Sequence, residues 1–166
     1  MSRDPALQEL LDKQAIAEVV HRYCRAVDRG DIELLRTVYH PDAIDERNGT
    51  LTRGNDIAPA VLGPVMANML STNHHIGTQT IVVDGDVAAA ESYSAGNHVL
   101  SDGRRLRSLV RYVDRFERRE GEWRISRRQM ILDNSEVTPA AQSVEGAPPT
   151  AARRDRDDPS YANFSF

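Results

Sequence analysis

The chain has 166 residues, 40% of them hydrophobic and 28% charged, which is the length and make-up of one ordinary folded domain. A formal net charge of -4 removes the basic field that non-specific nucleic-acid binding relies on, so a small molecule is the expected partner and nucleic acid is not. Cys24 is the single cysteine, which excludes an internal disulfide framework, and no apolar run reaches the roughly 18 residues of a membrane span, so the expected address is the cytoplasm.

Residues 5–28 carry Leu7, Leu10, Leu11, Ile16, Val19, Val20, Tyr23 and Val27 at three- and four-residue steps, the period of an amphipathic helix that Gly30 is suited to end. Asp31 is placed to cap a second helix over 32–39, and His40-Pro41-Asp42 breaks it. An extended stretch over 43–52 contains the hairpin signal Asn48-Gly49, and a helix interrupted by Pro59, Gly63 and Pro64 is expected over 56–70. The pattern then turns extended: strands over 76–83, 87–100, 106–118 and 123–132, separated by Asp84-Gly85-Asp86, Ser101-Asp102-Gly103 and Glu120-Gly121. Helices followed by long antiparallel strands predict an α+β domain over 1–137, with helices covering one face of a bent sheet. Residues 138–166 show no core period and read as a tail, or as a lid if Tyr161, Phe164 and Phe166 fold over a cavity mouth.

Val20, Cys24 and Asp28 recur at four-residue steps, which brings a carboxylate and the nearby Tyr23 phenol to the edge of the buried face. A carboxylate at a helix C-terminus faces the negative end of the dipole, so Asp28 either caps the turn with Arg29 and Gly30 or needs a partner. The candidate partner is at Asn73-His74-His75-Ile76-Gly77. Alternation sends the two imidazoles to opposite faces, and if Ile81 and Val83 mark the inner face, His75 shares it. The same alternation, with no third ligand in range, argues against a metal there. In the next strand Tyr93, Ala95 and Asn97 share one face and Ser94, Gly96 and His98 the other, and either is open to be the inner one. Arginines crowd 104–128; most are expected outside, while Arg111 and Arg128, with Asn97 and His98, are candidates for contacting substrate.

In order, Tyr23, Asp28-Arg29-Gly30-Asp31, Tyr39-His40-Pro41-Asp42-Ala43, His74-His75-Ile76-Gly77, Asp84-Gly85-Asp86 and Glu117-Arg118-Arg119-Glu120-Gly121-Glu122-Trp123-Arg124-Ile125 resemble the SnoaL-like branch of the nuclear transport factor 2-like superfamily. Scytalone dehydratase, bile acid 7α-dehydratase and hexachlorocyclohexane dehydrochlorinase are functional relatives in that group. The resemblance spans about residues 5–135 and implies a cone, a curved sheet wrapped over helices around an apolar cavity. It also implies that Asp28 and His75 form a His-Asp dyad and that Tyr23 matches a tyrosine of the bile acid enzyme.

A base of this kind, working with no metal or cofactor, suits proton abstraction beside a carbonyl or a leaving group. The expected activity is therefore cofactor-independent β-elimination, dehydratase-like, on a hydrophobic cyclic molecule such as a polyketide or steroid intermediate. Isomerase, cyclase or dehydrohalogenase chemistry would use the same base. A non-catalytic binding module, or an assembly subunit like the small β subunits of ring-hydroxylating dioxygenases, is the alternative of another class. Leu109, Val113 and Ile131 on the outer face of the sheet predict a homodimer or homotrimer.

Overall fold

The structure is a computed structural model that describes residues 4–140 and 152–163, apart from the side chains of 64–67 and 163. Helix α1 (Pro5–Arg29) starts at Asp4, whose carboxylate accepts the Ala6 N–H at 3.0 Å, with Pro5 placed where the first turn has no hydrogen bond to lose. It stops at Gly30, whose φ of 64° supplies the left-handed cap: the Gly30 N–H reaches Val27 O and the Asp31 N–H reaches Ala26 O. Its buried stripe includes Ile16, Val19, Val20, Tyr23 and Val27, together with Asp12 and Asp28. Asp31 caps the short α2 (Ile32–Arg36) through the Leu34 N–H, as its position in the sequence predicts.

Strands β1 (Tyr39–Arg47) and β2 (Thr50–Arg53) form the hairpin that Asn48-Gly49 signals, and α3 spans Ile57–Asn68. Strands β3 (Met69–Asp84), β4 (Val87–Leu100), β5 (Arg105–Arg119) and β6 (Glu122–Thr138) form the long meander. The six strands make one sheet in the order β2-β1-β6-β5-β4-β3, with β1 and β6 parallel and the other neighbours antiparallel. Strand β3 starts seven residues earlier than the pattern predicts: Met69 and Leu70 continue the apolar run of the preceding helix and Ser71, Thr72 and Asn73 carry no apolar signal, yet Met69 and residues 71–73 pair with the far end of β4.

Register shifts interrupt the long strands at four places: between Met69 and Ser71 and between Ile76 and Gln79 of β3, and at Ser126 and Asp133 of β6, opposite the two ends of the 110–115 stretch of β5. The concave face receives α1 and α3. Phe116, Ile125, Trp123 and Tyr112 from the sheet meet Ile16, Val19, Val20 and Val27 from α1, and each fully buried large side chain stabilises by about 1.5–3 kcal/mol. At the narrow end Asp12 accepts from the Trp123 indole at 2.9 Å and from Arg118 at 2.8 Å, which ties the first half of α1 to the sheet.

Residues 152–163 return to the C-terminal end of α1 and include the short helix α4 (Pro159–Asn163). Tyr161 donates its hydroxyl to Asp31 at 2.8 Å, and Arg29 holds Asp158 at 2.7 Å. Phe164 and Phe166 lie outside the described residues.

Candidate functional site

Asp28 stands in the last turn of α1, buried, and its carboxylate accepts three hydrogen bonds from β3. The His74 backbone N–H reaches one oxygen at 2.9 Å, and the His74 ring nitrogen Nδ1 reaches the other at 2.6 Å. The Thr72 hydroxyl donates to Asp28 at 3.3 Å. These donors satisfy the carboxylate oxygens at a helix end whose dipole is unfavourable to them. With Nδ1 engaged, Nε2 is the His74 nitrogen left for other chemistry.

The expected partner, His75, is not there. It is exposed, on the outer side of β3 beside Ile76, Gly77 and Tyr93. The cause is a β-bulge: between the Ile76–Ser94 and Gln79–Ser92 pairs, β3 uses three steps where β4 uses two. One extra residue reverses the alternation, so Ile81 and Val83 share the inner face with Ile76, His74 and Thr72 rather than with His75. The signal in the sequence is Gly77, because glycine inside a strand often marks a bulge.

Strand β4 turns Ser92, Ser94, Gly96 and His98 inward and Tyr93 and Asn97 outward. Asn97 is therefore on the solvent side, away from the cavity, which corrects its expected role. His98 packs edge-on to His74, with ring centroids 5.4 Å apart. Its Nδ1 donates to the Thr72 hydroxyl at 2.8 Å, and Ser108 lies 3.4 Å from its Nε2. A chain of polar groups thus runs from His98 through Thr72 to Asp28 and His74. Burial, with the His74 ring beside it and Arg154 adding to the effect, pushes the His98 imidazole down to about 4, against the opposing pull of Asp28. Gly96 makes this packing possible: a Cβ there would sit 2.6 Å from His98 Nε2 and 2.8 Å from Ser108 Oγ.

The two arginine candidates separate. Arg111 points outward, bound to Glu91 at 2.8 Å and Asp133 at 3.1 Å, so it does not reach the cavity. Arg128 points inward and is fully buried, but Asp114 takes its fork at 2.7 and 2.6 Å. Its guanidinium carbon lies 4.3 Å from the Tyr23 ring centre and 4.2 Å from that of Tyr112. Arg128 therefore supports Tyr23 from behind.

Tyr23, His74 and His98 line a common cavity of about 510 Å³. Its walls are largely apolar, with Val27, Val61, Leu106, Val110, Met130 and Leu132 among them, and Arg47, Thr50, Thr52 and Ser135 add polar groups. Arg47 was not among the sequence candidates; it is held by Asp45 at 2.6 Å, and Asp45 also accepts from Tyr39 at 2.7 Å. Among the described residues no group of three or more His, Cys, Asp or Glu is arranged to hold a metal ion. No helix among them is long and apolar enough to cross a membrane.

The family model of the SnoaL-like domain matches residues 8–129. The chain belongs to the SnoaL-like domain family. Its helices and curved, unclosed six-stranded sheet are the cone fold of the nuclear transport factor 2-like superfamily. A solved aromatic ring hydroxylase, so assigned, from Novosphingobium aromaticivorans is similar at 27% identity and a TM-score of 0.72, over 78% of this chain and 94% of that one. A type 2 hexachlorocyclohexane dehydrochlorinase is similar at 19% identity and a TM-score of 0.75, over 87% and 98%. A protein assigned as a scytalone dehydratase from Novosphingobium aromaticivorans is similar at 20% identity and a TM-score of 0.71, over 84% and 97%. No curated protein sequence matches this SnoaL-like chain.

Proposed function

We propose that this SnoaL-like protein is a cofactor-independent lyase, dehydratase-like, acting on a hydrophobic cyclic molecule, with His74 rather than His75 as general base. The observation that carries the reading is the 2.6 Å contact between Asp28 and His74 Nδ1 at the wall of an apolar cavity. Asp28 fixes the tautomer and stabilises the imidazolium, so Nε2 is the basic nitrogen. It takes the proton from the carbon beside a substrate carbonyl; the C–H electrons form the new double bond, and the β C–O bond breaks. The hydroxide leaves as water, collecting a proton from the imidazolium or from Tyr23, which returns to the phenol from the imidazolium. Where the imidazolium itself returns the proton, the Tyr23 hydroxyl instead donates a hydrogen bond to the carbonyl oxygen as charge builds on it. The likeness in fold to a dehydrochlorinase and a dehydratase agrees with elimination chemistry. Return of the proton to another carbon would make the same site an isomerase.

The test is a panel of cyclic β-hydroxy carbonyl compounds, followed by the ultraviolet absorbance of the conjugated product. With a substrate found, His74→Ala and Asp28→Asn are expected to lower the rate by about 10²–10⁴-fold, the usual share of general acid–base catalysis, and His75→Ala to leave it within about twofold. Full activity in His74→Ala overturns the reading. Tight binding without turnover across the panel would favour a binding module.

A further inference from the structure

Asp28 and His74 are carried by different elements, and the chain between them makes α2, β1, β2 and α3 before it returns. Their 2.6 Å contact requires the end of α1 to stay fixed against the start of β3. One side chain touches both places. Arg154 donates from Nη1 to the carbonyl of Met69, the first residue of β3, at 2.9 Å. From Nη2 it donates to the carbonyl of Val27, the residue before Asp28, at 3.3 Å.

We propose that Arg154 is a positioning residue, a clamp between α1 and β3 that keeps Asp28 and His74 in register, and that residues 152–163 exist in this fold as a brace for the pair. The proposal rests on the reading of that pair given above. The planar fork of arginine suits the task, because it meets two carbonyls at once while an ammonium is a point charge. Its charge lies at the negative end of α1, where a cation is favourable.

The segment that carries Arg154 is itself anchored on both sides of the helix end. Arg29 grips Asp158 at 2.7 Å, Arg25 donates to Ser160 at 3.2 Å, and Asp31 receives Tyr161 at 2.8 Å and Arg156 at 3.0 Å. Asp158 and Ser160 line a groove with Cys24, Asp28 and His74. Among the described residues, none of 152–162 lines the apolar cavity, whereas His74 lines both spaces. The brace therefore stands behind the pair, and substrate would reach it from the other side.

The His74 amide reports on the clamp directly, because it donates to Asp28 at 2.9 Å. Hydrogen exchange measured by nuclear magnetic resonance on the full chain is expected to show this amide exchanging about tenfold faster in Arg154→Ala, while the amides of Trp123 and Ile125 keep their rates. Arg154→Lys is expected to recover part of the protection, and kcat is expected to fall in Arg154→Ala with KM held. An unchanged His74 amide in Arg154→Ala overturns the clamp. If that variant unfolds, Arg154→Lys carries the test, and wild-type protection there overturns the clamp. The two readings fail separately: faster exchange beside a fully active Asp28→Asn keeps the clamp and removes the chemistry. Unchanged exchange beside an inactive Asp28→Asn does the reverse.

Discussion

His98 shows how far one buried side chain departs from its ordinary behaviour. Its imidazole ordinarily titrates at 6.5, and burial next to His74 moves it to about 4 in the folded chain. The unfolded chain therefore takes up a proton that the folded chain refuses between those values. Stability from this site is complete above about 6.5 and is lost as the pH falls towards 4. For one proton the slope is at most about 1.4 kcal/mol per pH unit, and less where water screens the ring. Urea midpoints measured across that range are expected to fall with pH, and His98→Gln is expected to flatten the dependence. Residues on α1 were legible in the sequence to this same resolution: the four-residue steps that bring Asp28 and Tyr23 to the buried face hold in the structure. His74 was not, because choosing between adjacent histidines requires the parity of a strand.

Parity belongs to the element. A one-residue bulge in β3 decides which histidine meets Asp28, and nothing in the hydrophobic pattern of 76–83 records it. The β5–β6 pair makes a second point at this scale. Asp114 and Arg128 are direct cross-strand partners, both at 0% exposure, with a 2.6 Å contact. Removing one charge strands the other in the core. Asp114→Ala is expected to cost about 3–5 kcal/mol in urea unfolding, whereas the double change Asp114→Leu with Arg128→Met is expected to cost much less. The crowd of arginines over 104–128 signals ion pairing, and the structure sorts it by face: Arg111 on Glu91 and Asp133 outside, Arg128 on Asp114 inside.

At the scale of the whole molecule, the convex face of the sheet leaves Tyr93, Leu109 and Val113 at 49, 38 and 38% exposure, with no layer of the described chain over them. Association through that face, giving a dimer or trimer, is the expected outcome, to be measured by light scattering. Leu109→Lys with Val113→Lys is expected to give a monomer that keeps the fold, and a monomeric parent chain would refute the prediction.

Apolar periodicity, turn residues and caps act over a few positions, so the sequence alone determined the order of helices and strands as far as β6, the helix stop at Gly30, the hairpin at Asn48-Gly49 and the place of Asp28 on the buried face of α1. The parallel pairing of β1 with β6, the face of His74, the pairing of Arg128 with Asp114 and the return of Arg154 to the end of α1 join residues far apart in the chain. Only the tertiary structure decided these, because a hydrogen bond or ion pair between distant residues leaves no period in the sequence, and a single bulge reverses every face beyond it.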